Sequence, residues 1–144
     1  MSLDDLARYI VTGTGSYVDE LLRSGMPEEE ARKNAANGIE SSFPGGVPAN
    51  GNEMFDVLDG NQVIGLLWLG PLAPDTWYVM DIEIHGSFRG RGYGRATMLL
   101  AETVARERGA SYLGLNVFGH NPTARHLYES LGYETQSIRM RKPI

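Results

Sequence analysis

Cysteine is absent from the 144-residue chain, so no disulfide framework, thiolate zinc site, iron-sulfur cluster or cysteine nucleophile can operate here. Lysine is nearly absent as well: Lys33 and Lys142 are the only two, and neither closes the Gly-Lys-Ser/Thr end of a Walker A phosphate loop. Long apolar runs are missing. The longest, Val63 to Leu69, is interrupted by Gly65 and is far shorter than the roughly 20 residues a membrane helix requires. The opening MSLDDLARYI places two aspartates where a secretory signal carries positive charge, so the expectation is a cytoplasmic protein with no membrane partner.

What is present is an ordinary globular composition, 42% hydrophobic and 22% charged, at a length that suits one domain on one core. The net charge is −5, and residues 1–50 hold four basic against eight acidic side chains. An acidic chain is a poor non-specific binder of nucleic acid, because neutralised phosphates supply that affinity. Arg89, Arg91 and Arg95 nevertheless fall within seven residues, enough local charge to hold one small polyanion.

The chain reads as a helical front and a βα back. Tyr17, Leu21 and Ser24, with Val18 and Leu22 beside them, predict a helix over Ser16–Ser24 that Gly25 stops. Pro27 and three glutamates predict a second helix from residue 28 to about Ser42. The glycine- and proline-rich stretch Phe43–Asn52 predicts a loop. Glu53–Leu58 and Gln62–Leu69 flank Asp59-Gly60-Asn61 as a β-hairpin, and Trp77–His85 reads as a further strand. A helix from Arg95 to Arg108 follows, with Met98, Leu99, Leu100, Thr103 and Val104 as its inner stripe. Tyr112–Phe118 reads as a strand, Asn121–Leu131 as a helix, and Tyr133–Lys142 as a closing strand. The result is an α/β domain on a mixed sheet.

Between the Trp77–His85 strand and its helix lies Arg89-Gly90-Arg91-Gly92-Tyr93-Gly94. Glycines there let the backbone turn tightly and bring N–H groups close to a ligand, and the helix N-terminus that follows favours negative charge. A dinucleotide fingerprint begun at Gly90 fails, since its third glycine position is Arg95 and the next strand offers Asn116 where an acid is wanted. His85, His120 and His126 share no ligand spacing, so no metal is expected. No G-x-S-x-G elbow occurs, and Ser87 has no recognisable triad.

The pattern that does match is Arg89-x-x-Gly92-x-Gly94. With the strand MDIEIH before it and LGLNVF and NPTARHLYESLGY after it, the chain resembles the GNAT superfamily of acyl-CoA-dependent N-acetyltransferases over roughly Met54–Lys142. The resemblance implies a mixed, mostly antiparallel sheet flanked by helices. It also implies that the Arg89–Gly94 turn holds the CoA pyrophosphate and that the strand edge at Ile82–Ile84 pairs with the pantetheine arm. That strand would splay from its neighbour at a bulge, with the Ile84 N–H facing the thioester oxygen. Asn121, a good helix cap on its own, would bond the cofactor arm. Tyr128, a core aromatic from spacing alone, would protonate the departing thiolate.

Two departures from the family pattern matter. Some relatives carry a glutamate where Asn116 stands, which leaves Glu83 and Asp81 as the nearest carboxylates to take an amine proton; Glu83 is the candidate. The family also opens with a strand, and here either that strand is absent or Arg8–Thr12 replaces it. The expected activity is transfer of an acetyl group from acetyl-CoA to a small-molecule or peptide amine, without a covalent enzyme intermediate. A non-catalytic acyl-CoA sensor of the same fold is the alternative. A homodimer is the commonest assembly in general.

Overall fold

Ser2 starts the first helix, accepting the Asp5 N–H on its Oγ at 3.1 Å, while Asp4 and Asp5 meet the positive end of the dipole. In the computed structural model, which describes residues 1–144, this helix, α1, runs over Leu3–Arg23. It passes straight through Gly13 and Gly15, although each glycine costs about 1 kcal/mol relative to alanine. Burial of Leu6, Val18 and Leu21 offsets that cost, and Gly13 leaves room for the Tyr9 ring, 3.3 Å from where a Cβ would lie. The alternative of a short strand over Arg8–Thr12 is therefore overturned, and the first strand of the sheet is the hairpin's. Tyr17 and Leu22 face solvent.

Helix α2, Glu28–Ser42, begins at Pro27 behind its three glutamates. Its buried Ala31 and Ala35 pack on Val18 and Leu21 of α1, small residues that allow the two helices to approach closely. The loop after it contains one turn of 3-10 helix, Pro44–Gly46. Phe43 is buried there and its ring lies 4.8 Å from that of Trp68.

Four strands form one sheet in the order β1-β2-β3-β4. They are β1 (Glu53–Asp59), β2 (Gln62–Ala73), β3 (Thr76–Ile84) and β4 (Tyr112–Leu115). The first two pairings are antiparallel and the last is parallel, so the expected mixed, mostly antiparallel sheet is present. β2 extends beyond the expected Leu69, pairing Pro71 with Trp77 across a tight turn. Its inward side chains, Ile64, Leu67 and Leu69, are buried. Gly65 faces β3 so closely that an added Cβ would lie 2.1 Å from the Glu83 carbonyl oxygen. Because that oxygen is backbone, the clash cannot be relieved by a rotamer change, and overpacking of this kind usually costs about 1–3 kcal/mol. Gly65→Ala is expected to lower Tm by roughly 10 °C, at the upper end of that cost; a thermal melt within 2 °C or so of the unmutated protein would refute the contact.

Helix α3, Tyr93–Glu107, packs on the sheet through Thr97, Met98, Ala101 and Ala105. Of the expected inner stripe, Met98 is buried and Val104 packs against the core, whereas Thr103 is exposed and Leu99 and Leu100 are 48% and 60% exposed; Thr97, Ala101 and Ala105 face the sheet in their place. Helix α4, Pro122–Ser130, is capped by Asn121, whose Oδ1 accepts the Ala124 N–H at 3.2 Å. The closing strand expected over Tyr133–Lys142 does not form. Only Tyr133 packs against the core; Ile138 and Met140 are 71% and 86% exposed, so their alternation meets no apolar face and no strand pairs with the tail.

Candidate active site

The sheet opens along one line. β3 and β4 pair from Thr76–Tyr112 to Val79–Leu115 and no further, whereas β3 continues to Ile84 on its β2 side. At the point of parting β3 carries a bulge: Val79 pairs with Leu69 and Asp81 with Trp68, so Met80 is the extra residue. Bulges commonly re-aim side chains beside active sites. On the other bank, Phe118 leaves the sheet to pack on the α1–α2 cluster, and His120 Nε2 shares a hydrogen bond with the Glu20 carboxylate of α1. That departure holds β4 to four residues, shorter than the expected Tyr112–Phe118.

Strand alternation decides which β3 groups face the opening. The His85 N–H donates to the Ile64 carbonyl of β2 at 2.8 Å, so with a period of two the backbone groups of Glu83 face β2 and those of Ile82 and Ile84 face away. The Ile84 carbonyl does so, accepting from Arg89 Nε at 2.9 Å. Beyond Val79, therefore, the Ile82 and Ile84 N–H groups have no strand partner on the β4 side. An extended ligand could add there as a strand would.

The glycine turn stands at the end of this edge. Gly90 and Gly92 hold φ of 72° and 85°, a left-handed region that side-chain-bearing residues rarely occupy. Gly92 is the N-cap of α3 and uses no side-chain cap, so the first-turn N–H groups of α3 are left to face a ligand or solvent. A Cβ at Gly90 or Gly92 would meet nothing within 4 Å. The three arginines do not act alike. Arg89 is tied to Ile84, Arg95 donates to Ser130 of α4 at 2.6 Å, and Arg91 is exposed over the Phe88 ring, 5.8 Å from its centroid. Tyr93 donates its hydroxyl to Asp59 Oδ2 at 2.5 Å. Gly94 lies against Leu127, a Cβ there falling at 3.4 Å, and joins the turn to α4.

Tyr128 of α4 is half-buried against the Met98 cluster and meets Tyr133 edge-on at 6.1 Å. Burial, and secondarily the Asp81 charge, push its phenol above the usual value. It thus stays protonated at neutral pH and packs in the core at once. Glu83 is exposed and lines a cavity of about 340 Å³ with Asp5, Tyr9, Asp56, Leu66 and His85. Asp81 sits behind that cavity as the acceptor of the Tyr9 hydroxyl at 2.7 Å. Burial raises the Asp81 carboxyl above its usual range, opposed by the Tyr9 hydrogen bond and assisted by Glu83. Gly94 of the turn thus lies against Leu127, the neighbour of Tyr128 on α4, and the Asp81 charge reaches the Tyr128 phenol. Tyr9 escaped the sequence reading, since 72 residues separate it from Asp81 and no local pattern links them.

Residues 17–133 match the model of the acetyltransferase (GNAT) family. YdgE of Bacillus subtilis strain 168, named an uncharacterized N-acetyltransferase, is 33% identical over 134 residues, 90% of this chain and 85% of its own. The crystal structure of YycN from Bacillus subtilis, whose sequence is likewise named an uncharacterized N-acetyltransferase, aligns with a TM-score of 0.91 at 26% identity, covering 100% of this chain and 95% of that one. A Bacillus subtilis acetyltransferase crystallised in complex with CoA shares the fold at TM-score 0.61 and 20% identity, over 71% of this chain and 64% of that one.

Proposed function

The chain belongs to the GNAT family of acetyltransferases, and we propose that it moves an acetyl group from acetyl-CoA directly to a primary amine. The observation that carries this reading is the parting of β3 from β4 beside the Arg89–Gly94 turn. One anion cradle and one unpaired strand edge, in line, suit a ligand with a pyrophosphate at one end and an amide-bearing arm at the other. That a structural neighbour of the same fold was crystallised with CoA supports the choice of ligand.

In this reading the α3 N-terminus and the Arg91 charge take the pyrophosphate, and the Ile82 backbone pairs with a pantetheine amide while the Ile84 N–H is left for the thioester oxygen. Asn121, already committed to capping α4 through Oδ1, has its side-chain NH₂ left to donate to that arm. The acceptor nitrogen attacks the thioester carbon, and the Ile84 N–H stabilises the developing oxyanion. Glu83 takes the proton lost by the amine, directly or through water. As the C–S bond breaks, Tyr128 gives its proton to the sulfur and regains one from solvent, leaving the amide and free CoA. The thioester bond is exchanged for an amide with no enzyme-bound acyl group, so the absence of cysteine is no obstacle.

Thiol release with acetyl-CoA and a panel of amines tests the activity. Acetyl-CoA binding with no turnover on any amine would make the chain a sensor. Glu83→Gln should lower turnover at pH 7 by about tenfold, less than the usual 10²–10⁴ for a positioned base, because an exposed site admits water as a substitute. Rate should return as rising pH deprotonates the amine in solution. Full activity of the glutamine variant at neutral pH would remove Glu83 from the mechanism.

A further inference from the structure

The cavity beside the β3 opening presents two kinds of polar group. Glu83 is exposed to water, while Tyr9 is fixed from three sides. Its ring meets Phe43 edge-on at 6.2 Å and Trp68 edge-on at 6.4 Å, and its hydroxyl donates to Asp81 Oδ2 at 2.7 Å. Tyr9 lines the cavity; Asp81 stands behind it.

A tyrosine hydroxyl has one proton to give and lone pairs to receive. Once the proton is committed to a carboxylate, the oxygen can only accept, and the neighbouring negative charge makes it a stronger acceptor. Such a group favours N–H donors and has nothing to offer a carboxylate or carbonyl. Resting on the acetyl-transfer reading above, we infer that Tyr9 Oη receives an N–H of the acceptor amine and that Asp81 acts through Tyr9, by holding that oxygen in its accepting state. Tyr9 touches the substrate. Asp81 is a positioning residue. With Glu83 taking the mobile proton and Tyr9 holding a second N–H, the nitrogen lone pair is left to aim at the thioester, and an acceptor nitrogen lacking a second N–H is disfavoured. Burial supports the pairing: it drives the Tyr9 phenol far above its ordinary value, with the Asp81 charge next in size, so the hydroxyl proton stays on Tyr9 at working pH.

The test uses 1,4-diaminobutane as the amine, with two readouts. One is its KM in thiol release; the other is its calorimetric affinity for the CoA-loaded protein, where no acetyl group moves. Tyr9→Phe keeps the ring against Phe43 and Trp68 and removes only the oxygen. KM and Kd for the amine are expected to rise about tenfold, the loss associated with one hydrogen bond to a charged partner, with acetyl-CoA affinity within about twofold of the unmutated protein. Asp81→Asn should raise the amine KM comparably without moving the acidic limb of the kcat pH profile, and should add nothing in the Tyr9→Phe background. If the phenylalanine variant melts early, Asp81→Asn alone decides by the same KM and profile. Unchanged amine binding in either folded variant overturns the assignment. So does a full Asp81→Asn effect in the Tyr9→Phe background, which would make Asp81 act on the substrate itself. Amine binding that depends on Tyr9 without any thiol release would retain the seat and refute catalysis; thiol release indifferent to Tyr9 would do the reverse.

Discussion

Gly92→Val is expected to lower acetyl-CoA affinity on the order of 100-fold, equivalent to about 2.7 kcal/mol. Two effects combine. Gly92 holds φ at 85°, where a β-branched side chain is strained by about 1–3 kcal/mol, so the turn would relax and re-aim the α3 N–H groups. The new side chain would also add bulk at the turn, where the pyrophosphate is proposed to lie. No protein atom lies within 4 Å of an added Cβ, so the fold has room to accommodate the change and calorimetry on the folded variant can be interpreted. Arg91→Ala separates charge from geometry: it should weaken binding less and make what remains less sensitive to salt, since Arg89 and Arg95 are already engaged with Ile84 and Ser130. Acetyl-CoA affinity unchanged in a folded Gly92→Val protein would dissociate the turn from the cofactor.

Tyr128→Phe is expected to reduce the chemical rate roughly 10²-fold, the lower end of the usual contribution of a positioned proton donor, with acetyl-CoA affinity nearly unchanged. The ring packs beside Met98 and Tyr133, and phenylalanine preserves those contacts, so stability should move little. The phenol lies above its usual value through burial first and the Asp81 charge second. Deprotonation of this donor therefore belongs at pH above the ordinary phenol range, and the rate of the unmutated protein should not fall on its account near neutrality. Single-turnover measurement beside a thermal melt separates the two roles. A folded variant that transfers acetyl at the normal rate would leave Tyr128 as a core aromatic.

The Asp81–Tyr9 pair and the Arg89–Gly94 turn differ in how they could be found. The turn is contiguous: its chemistry depends on glycines at left-handed φ, a helix start and adjacent arginines, all local properties that a string of residues carries with it. The same holds for the Asn121 cap, for the glutamates opening α2, and for the β1–β2 hairpin around Asp59-Gly60-Asn61, each observed where local rules put it. Family membership was legible for the same reason, since its matched segments are short and keep their order.

Where local preference and packing disagreed, packing prevailed. α1 continues through Gly13 and Gly15 because burying Leu6, Val18 and Leu21 outweighs two poor helix formers. α3 turns Ala101 and Ala105 inward and leaves Leu99 and Leu100 outside, because the close approach of helix to sheet favours small side chains and hydrophobicity alone does not report distance. The residues after Gly132 alternate like a strand and are not one, since a strand exists only with a partner and none pairs with them here. The parting of β3 and β4 likewise depends on Phe118 being drawn to the α1–α2 cluster, a contact between distant segments. Residue order therefore settled the glycine turn, the helix caps and the hairpin, through rules that act over a few neighbours. Which side chains meet across the fold was decided by long-range packing, which brings Tyr9 to Asp81 across 72 residues and which no local pattern encodes.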